Sequence, residues 1–151
     1  MNTTNTNSGG WTGSYAKKTI CPQFKAALTA ALRAVIKTVT VYTDNVGGGS
    51  NAAGNVTAST EDVYYPAEFE IQGSRSWANS AEQNYQTQLA YYKAGNSKVK
   101  YKHDATSTAA YVWCRSACYD YSASFCRVSA SGGAYYTNAY YSLGVAPLLN
   151  V

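Results

Sequence analysis

Charge is scarce in this chain. Aspartate, glutamate, lysine and arginine make up 13% of its 151 residues, about half the roughly 25% of an average soluble domain. The net charge of +4 is modest, and although four of the twelve basic residues fall within Lys93–Lys102, no nucleic-acid motif accompanies them. Lys98, Lys100 and Lys102 alternate with Val99 and Tyr101, as lysines do on the outer face of a protected edge strand. No apolar run approaches the ~18 residues that a membrane span requires, so membrane insertion is not expected. The opening "MNTTNTNSGG" has neither the basic nor the apolar part of a signal peptide and reads as a flexible polar leader or linker over residues 1–10. A single domain is expected over residues 11–151.

Catalytic groups are equally sparse. The one histidine, His103, sits beside Asp104 in a polar turn with no nucleophile partner, which favours a surface role over a general base. Glu68 and Glu70 alternate with Phe69 and Ile71, a pattern that predicts a strand with outward carboxylates. The stretch "GGGSNAAG" lacks the lysine and following helix of a phosphate loop, and no Gly-x-Ser-x-Gly occurs. Cys21, Cys114, Cys118 and Cys126 are expected as free thiols, because no secretion signal is visible. Their spacing supplies no fourth zinc ligand near at hand. No metal and no cofactor are therefore expected.

Tyrosine takes the place of the missing charge. The chain holds 15 tyrosines against three tryptophans and three phenylalanines. A helix is predicted to open at Cys21-Pro22, with Phe24, Leu28, Ala31, Leu32, Val35, Ile36 and Val39 on one face. Asp44–Thr60 reads as a loop around three consecutive glycines. A second helix is predicted with Ser80 as cap, Tyr85, Leu89 and Tyr92 on one face and Gly95 as stop. Strands are expected at Val99–Tyr101, Ala109–Trp113, Ser124–Val128 and Gly144–Val151, the last as buried scaffold. Two helices followed by short strands indicate an α+β fold.

Six tyrosines fall between Tyr119 and Leu143, mixed with serine, glycine and asparagine. That is the vocabulary of antibody binding loops: a large rigid contact area, few torsions to freeze, and adaptable hydrogen bonding around it. Adjacent pairs such as Tyr135-Tyr136 and Tyr140-Tyr141 cannot both enter one core from a strand, so an exposed aromatic surface is expected. Tyr135, Tyr136, Tyr140 and Tyr141 should share a face with Tyr119 and Tyr121.

The stretch Val112–Val151, "VWCRSACYDYSASFCRVSASGGAYYTNAYYSLGVAPLLNV", resembles the C-terminal region of C-type-lectin-fold variable proteins encoded with diversity-generating retroelements. Such proteins are found in phages and prophages of gut bacteria. The likeness rests on Trp113/Arg115/Ser116, Phe125/Cys126/Val128 and Gly144/Val145/Pro147, and extends to "GGW", "LRAVIK", "EFE" and "ANSAEQNYQ". Cys114 departs from it, since many relatives carry an apolar residue there.

The resemblance implies a C-type-lectin-like fold, also described as formylglycine-generating-enzyme-like, with two helices, short antiparallel strands and a variable region over about 111–143. It implies a non-enzymatic display protein whose diversified positions are Tyr119, Asp120, Tyr121, Ser122, Ser124, Arg127, Ser129, Tyr135, Tyr136, Asn138, Tyr140, Tyr141 and Leu143. Diversification in that family targets adenines of asparagine codons, which cannot yield Trp, Lys, Glu or Gln, and Tyr119–Leu143 contains none of the four. The implied partner is a protein or glycan on a cell surface, met by a tail-associated virion protein or a module of a larger display protein. An enzyme of the formylglycine-generating type and a virion decoration domain are the alternatives.

Overall fold

The computed structural model describes residues 1–151. A helical turn, α1 (Gly10–Gly13), and a π-helical turn over Ala16–Ile20 lead into α2 (Cys21–Ala27). The single long helix expected from Cys21 ends there. Leu28 is extended, and Thr29 caps a second helix, α3 (Ala30–Val35), by accepting the Leu32 N–H on its side chain. Arg33 reaches back to the carbonyls of Ala26 and Leu28, satisfying acceptors that the break leaves free. No residue of α3 is buried. The apolar spacing here marks a partly covered surface rather than a core face, and Val39 belongs to the next strand.

β1 (Val39–Asp44) pairs antiparallel with β2 (Val56–Glu61), from Val39 opposite Glu61 to Asp44 opposite Val56. β3 (Val63–Tyr64) follows, then α4 (Glu68–Gln72), a 3-10 turn over Ser80–Asn84, and α5 (Ala90–Lys93). Two expectations fail in this stretch. "EFEIQ" is helical rather than extended, and Glu68 is buried rather than outward. The predicted second helix is divided into the 3-10 turn and α5, with Asn79 as cap in place of Ser80. Gly95 does take the left-handed conformation that ends α5.

β4 (Lys100–Tyr101) and β5 (Ala109–Ala110) form a small hairpin. β6 (Val112–Ala117), β7 (Ser124–Val128) and β8 (Ala134–Asn138) make a three-stranded antiparallel sheet in that order, and β9 (Leu148–Leu149) pairs with β3. The composition is α+β, with short helices and four small antiparallel sheets. The closing segment "GVAPLLNV", expected as a buried strand, forms only the two-residue β9, and none of its residues is fully buried. The first ten residues do not trail as a free leader. Met1 and Asn7 are buried, and backbone bonds join Asn2 N–H to Ala139 and Asn7 N–H to Ser122.

β6 and β7 divide the interior. Trp113, Ala117 and Phe125 point to one side and join Trp11, Tyr65 and Val63; Cys114, Cys126 and Val128 point to the other and join Ile71, Ala78 and Tyr92. This is the two-residue period of a strand buried on both faces. All four cysteines are free and buried.

Although charge is scarce in the sequence, Asp44, Glu61, Glu68, Glu82 and Arg115 are buried. Arg115 has no exposed surface. Its Nη1 and Nη2 bond both oxygens of Glu70 at 2.6 Å, Nη1 also donates to the Tyr65 carbonyl at 2.9 Å, and Nε donates to Thr43 Oγ1 at 2.6 Å. Glu68 accepts the backbone N–H groups of Ser76, Trp77 and Ala78. Glu82 accepts from Asp44 N–H, Gln86 Nε2 and Ser116 Oγ. Asp44 holds Val46 N–H, Gly47 N–H and Asn79 Nδ2. These bonds tie β1, α4, β6 and the glycine-rich loop into one polar interior.

Two outcomes follow from this burial. Removing one partner of a buried pair strands the other charge, which typically costs about 3–5 kcal/mol. Arg115→Ala should therefore lose at least that much in urea unfolding, and Glu70→Gln less, because Gln keeps an acceptor for the guanidinium. Burial pushes Glu82 from its ordinary 4.5 up to about 7, so the folded chain holds this proton more tightly than the unfolded chain. The resulting stabilisation is complete below about pH 4.5 and is lost as pH rises toward 7. Burial shifts Glu68 in the same direction. Stability measured against pH should flatten across that window in Glu82→Gln relative to the parent chain.

Candidate ligand-binding surface

The tyrosine-rich region begins at the turn between β6 and β7. Asn7 holds that turn from below. Its Nδ2 lies 3.0, 3.0 and 2.8 Å from the carbonyls of Cys118, Tyr121 and Ser124, and its Oδ1 accepts Gly48 N–H at 2.8 Å. Gly47 packs so tightly on the Asn7 carbonyl that any Cβ would collide with it, and its positive φ also favours glycine. The glycine-rich loop thus braces this turn through Asn7.

β8 carries the next tyrosines, and the sequence reading placed no strand there. Tyr135 pairs with Arg127 and Tyr136 with Cys126 across the ladder. The rings of Tyr135 and Tyr136 stack at 5.0 Å, Tyr121 stacks on Tyr136 at 4.7 Å, and Trp77 meets Tyr136 and Tyr135 edge-on at 4.7 and 5.9 Å. The Arg127 guanidinium lies between Tyr111 and Tyr135, 4.3 and 5.0 Å from their centroids. Arg75 lies 4.9 Å from the centre of the Tyr119 ring. Neither arginine has a carboxylate partner, and Arg127 Nη1 finds no hydrogen-bond acceptor. These contacts form an aromatic row crossed by two cations, with Tyr121 and Tyr135 each 47% exposed.

The remaining tyrosines form a separate group. Tyr140 and Tyr141, both about half exposed, tilt against one another at 4.7 Å. With Leu143 they border a cleft of about 530 Å³, floored by Met1, Tyr65 and Trp113. Among the six tyrosines the ring contacts thus fall into two sets, Tyr121 with Tyr136 and Tyr135, and Tyr140 with Tyr141. Asp120, Tyr121 and Ser122 are exposed, while Tyr119, Arg127, Ser129, Tyr136, Asn138 and Leu143 are half-buried. Ser124 is the exception among the expected surface positions. It is 2% exposed, because it begins β7 beneath Asn7 and its hydroxyl faces Asn138.

Trp77, Arg75 and Tyr111 complete the surface and were not among the expected site residues. Trp77 and Arg75 arrive from a segment some forty residues upstream. Glu68 fixes its backbone at Ser76–Ala78, and Tyr119 N–H donates to the Trp77 carbonyl. Nothing local in "SRSWANS" signals this, since the signal is the buried carboxylate that holds the segment.

The cysteines do not suit nucleophilic chemistry. Burial pushes the Cys114, Cys118 and Cys126 thiols up, away from the thiolate that reacts. No group of three or more His, Cys, Asp or Glu side chains converges as a metal site. His103 is exposed in the turn between β4 and β5. No helix is long and apolar enough to cross a membrane.

A family model described as "Domain of unknown function (DUF6273)" matches residues 1–151. The chain belongs to that family. No curated protein and no solved structure matches it.

Two measurements probe this geometry. The Tyr121 phenol, stacked on Tyr136, leads the causes that push the Tyr136 phenol from 10 up to about 12. In an ultraviolet pH titration Tyr121→Phe should bring one tyrosine back toward 10. Asn7→Ala leaves the Cys118 carbonyl and the Gly48 N–H without a partner, while the Tyr121 and Ser124 carbonyls keep the N–H groups of Ser124 and Cys118, and each unsatisfied group costs about 1–3 kcal/mol. That variant should unfold at lower urea concentration and exchange its Gly48 amide faster.

Proposed function

We propose that this chain is a non-enzymatic ligand-binding domain with a C-type-lectin-like scaffold, and that its tyrosine-rich surface is diversified by a retroelement. The observation that carries the reading is the aromatic row of Tyr121, Tyr136, Tyr135 and Trp77 with Arg127 set into it. Tyrosine, tryptophan and arginine are the residues that dominate binding energy at protein interfaces. A monomer with no partner to meet has no reason to keep such a row half in water.

The arrangement of β7 supports the same reading. Phe125, Cys126 and Val128 are buried between the two core clusters, whereas Tyr121 and Ser122 before them and Tyr135 beyond are open to solvent. Exchanging the outer side chains should cost little stability, because the inner ones carry the packing. Ser124 is withdrawn from the diversified set on account of its burial. Tyr111 and Trp77 join the surface, Trp77 as a constant residue outside the variable region.

The ligand is a protein or glycan of another cell surface, and the domain acts from a virion tail or from a larger displayed protein. An enzyme of the formylglycine-generating type is disfavoured by the buried, upward-shifted Cys114 and Cys118.

Sequencing many copies of the gene from one microbial community tests the proposal. Substitutions should concentrate at codons 119–122, 127, 129, 135, 136, 138, 140, 141 and 143, and should arise from template adenines. A flat distribution along residues 1–151, or equal change at Phe125 and Val128, would sink it.

A further inference from the structure

β8 is the outermost strand of its sheet, and its free edge is unprotected. The ladder with β7 uses the main-chain groups of Tyr135 and Thr137, so those of Ala134, Tyr136 and Asn138 point away from the sheet. Of these outward groups only the Asn138 carbonyl has a partner, the N–H of Tyr141. Proteins usually blunt such an edge with lysine, proline or a bulge. "AYYTN" has none of these. The edge lies beside the aromatic row, with Tyr136 contributing both its ring and its unpaired main chain.

We propose that β8 takes up an extended, acidic segment of a target protein as an added antiparallel strand. This rests on the ligand-binding reading and specifies the partner for the same surface. Main-chain pairing requires a polypeptide, which selects protein over glycan and nucleic acid. Charge selects its composition. Arg127 and Arg75 sit on tyrosine rings without carboxylate partners, and Asp120 is the one acidic side chain in the adjoining turn. Arg75 acts electrostatically on the buried Glu68 without a salt bridge to it, and a second copy of this chain would set the same two arginines against one another. Such pairing also gives a diversified surface a constant anchor: the outward N–H and C=O groups stay in place whichever side chains β8 carries.

The probe is a phage-displayed library of random linear twelve-residue peptides, selected against the intact chain. Enriched peptides are then synthesised and measured by calorimetry. Acidic, proline-poor sequences should be enriched. Ala134→Pro removes one outward N–H and leaves the β7 ladder intact; it should weaken the best peptide about tenfold with an unchanged melting temperature. N-methylation at alternate peptide positions should do the same, and Arg127→Gln should erase the preference for Glu over Gln in the peptide.

Several results would overturn the proposal: no enriched linear peptide, binders indifferent to Ala134→Pro and to N-methylation, enrichment of neutral or basic peptides, or dimerisation of the free chain through β8. If Tyr121→Ala and Tyr135→Ala abolish binding while Ala134→Pro and N-methylation do not, the ligand-binding surface stands and strand addition fails.

Discussion

The buried guanidinium of Arg115 is the constraint to which the rest of the molecule conforms. A fully desolvated arginine survives only if its donors are met and its charge is balanced. Glu70 supplies both oxygens in a fork, Thr43 and Tyr65 supply the remaining acceptors, and the Tyr64 ring covers one face. These partners come from β1, the segment after β3, and α4. Satisfying one side chain therefore fixes how three separate stretches sit against β6. The neighbouring carboxylates extend the arrangement: Glu68 places the Trp77 segment, and Glu82 with Asp44 anchors the start of the glycine-rich loop. Shape at the surface follows from charge in the interior.

This also accounts for the pale exterior. Buried ionic groups must be paired or hydrogen-bonded, and such partners are directional where apolar contact is not. With that geometry set internally, the outside is free to carry tyrosine and serine in place of lysine and glutamate. The two core clusters on either side of β6 and β7 hold twelve and six buried residues.

What the sequence disclosed followed from local pattern. β7 was legible because Phe125, Cys126 and Val128 form a short apolar run that small polar segments bound. The exposure of Tyr121, Tyr135, Tyr140 and Tyr141 was legible because adjacent tyrosines cannot share a core. The failures have one physical origin, which is long-range partnership. The alanine-rich run reads as one helix until Thr29 caps a new one and Val39 is drawn into pairing with Glu61. Glu68 and Glu70 alternate as strand residues do, yet one is claimed by three backbone N–H groups and the other by Arg115. Asn7 lies in an unpatterned polar stretch, and its role depends on carbonyls more than a hundred residues away. No strand was read at β8 because its tyrosines suit a strand and a binding loop equally well.

The three tryptophans are divided by this architecture in a way that can be seen with light. Trp11 and Trp113 lie in the larger core cluster, with Trp11 Nε1 bonded to Glu61. Trp77 is half-buried, packed against the smaller cluster and within 6 Å of two tyrosine rings. Its emission is thus optically separable from the other two and fed by nearby tyrosines through energy transfer. The molecule carries its own fluorophore at the place where a ligand would arrive, and two internal standards that should ignore the event.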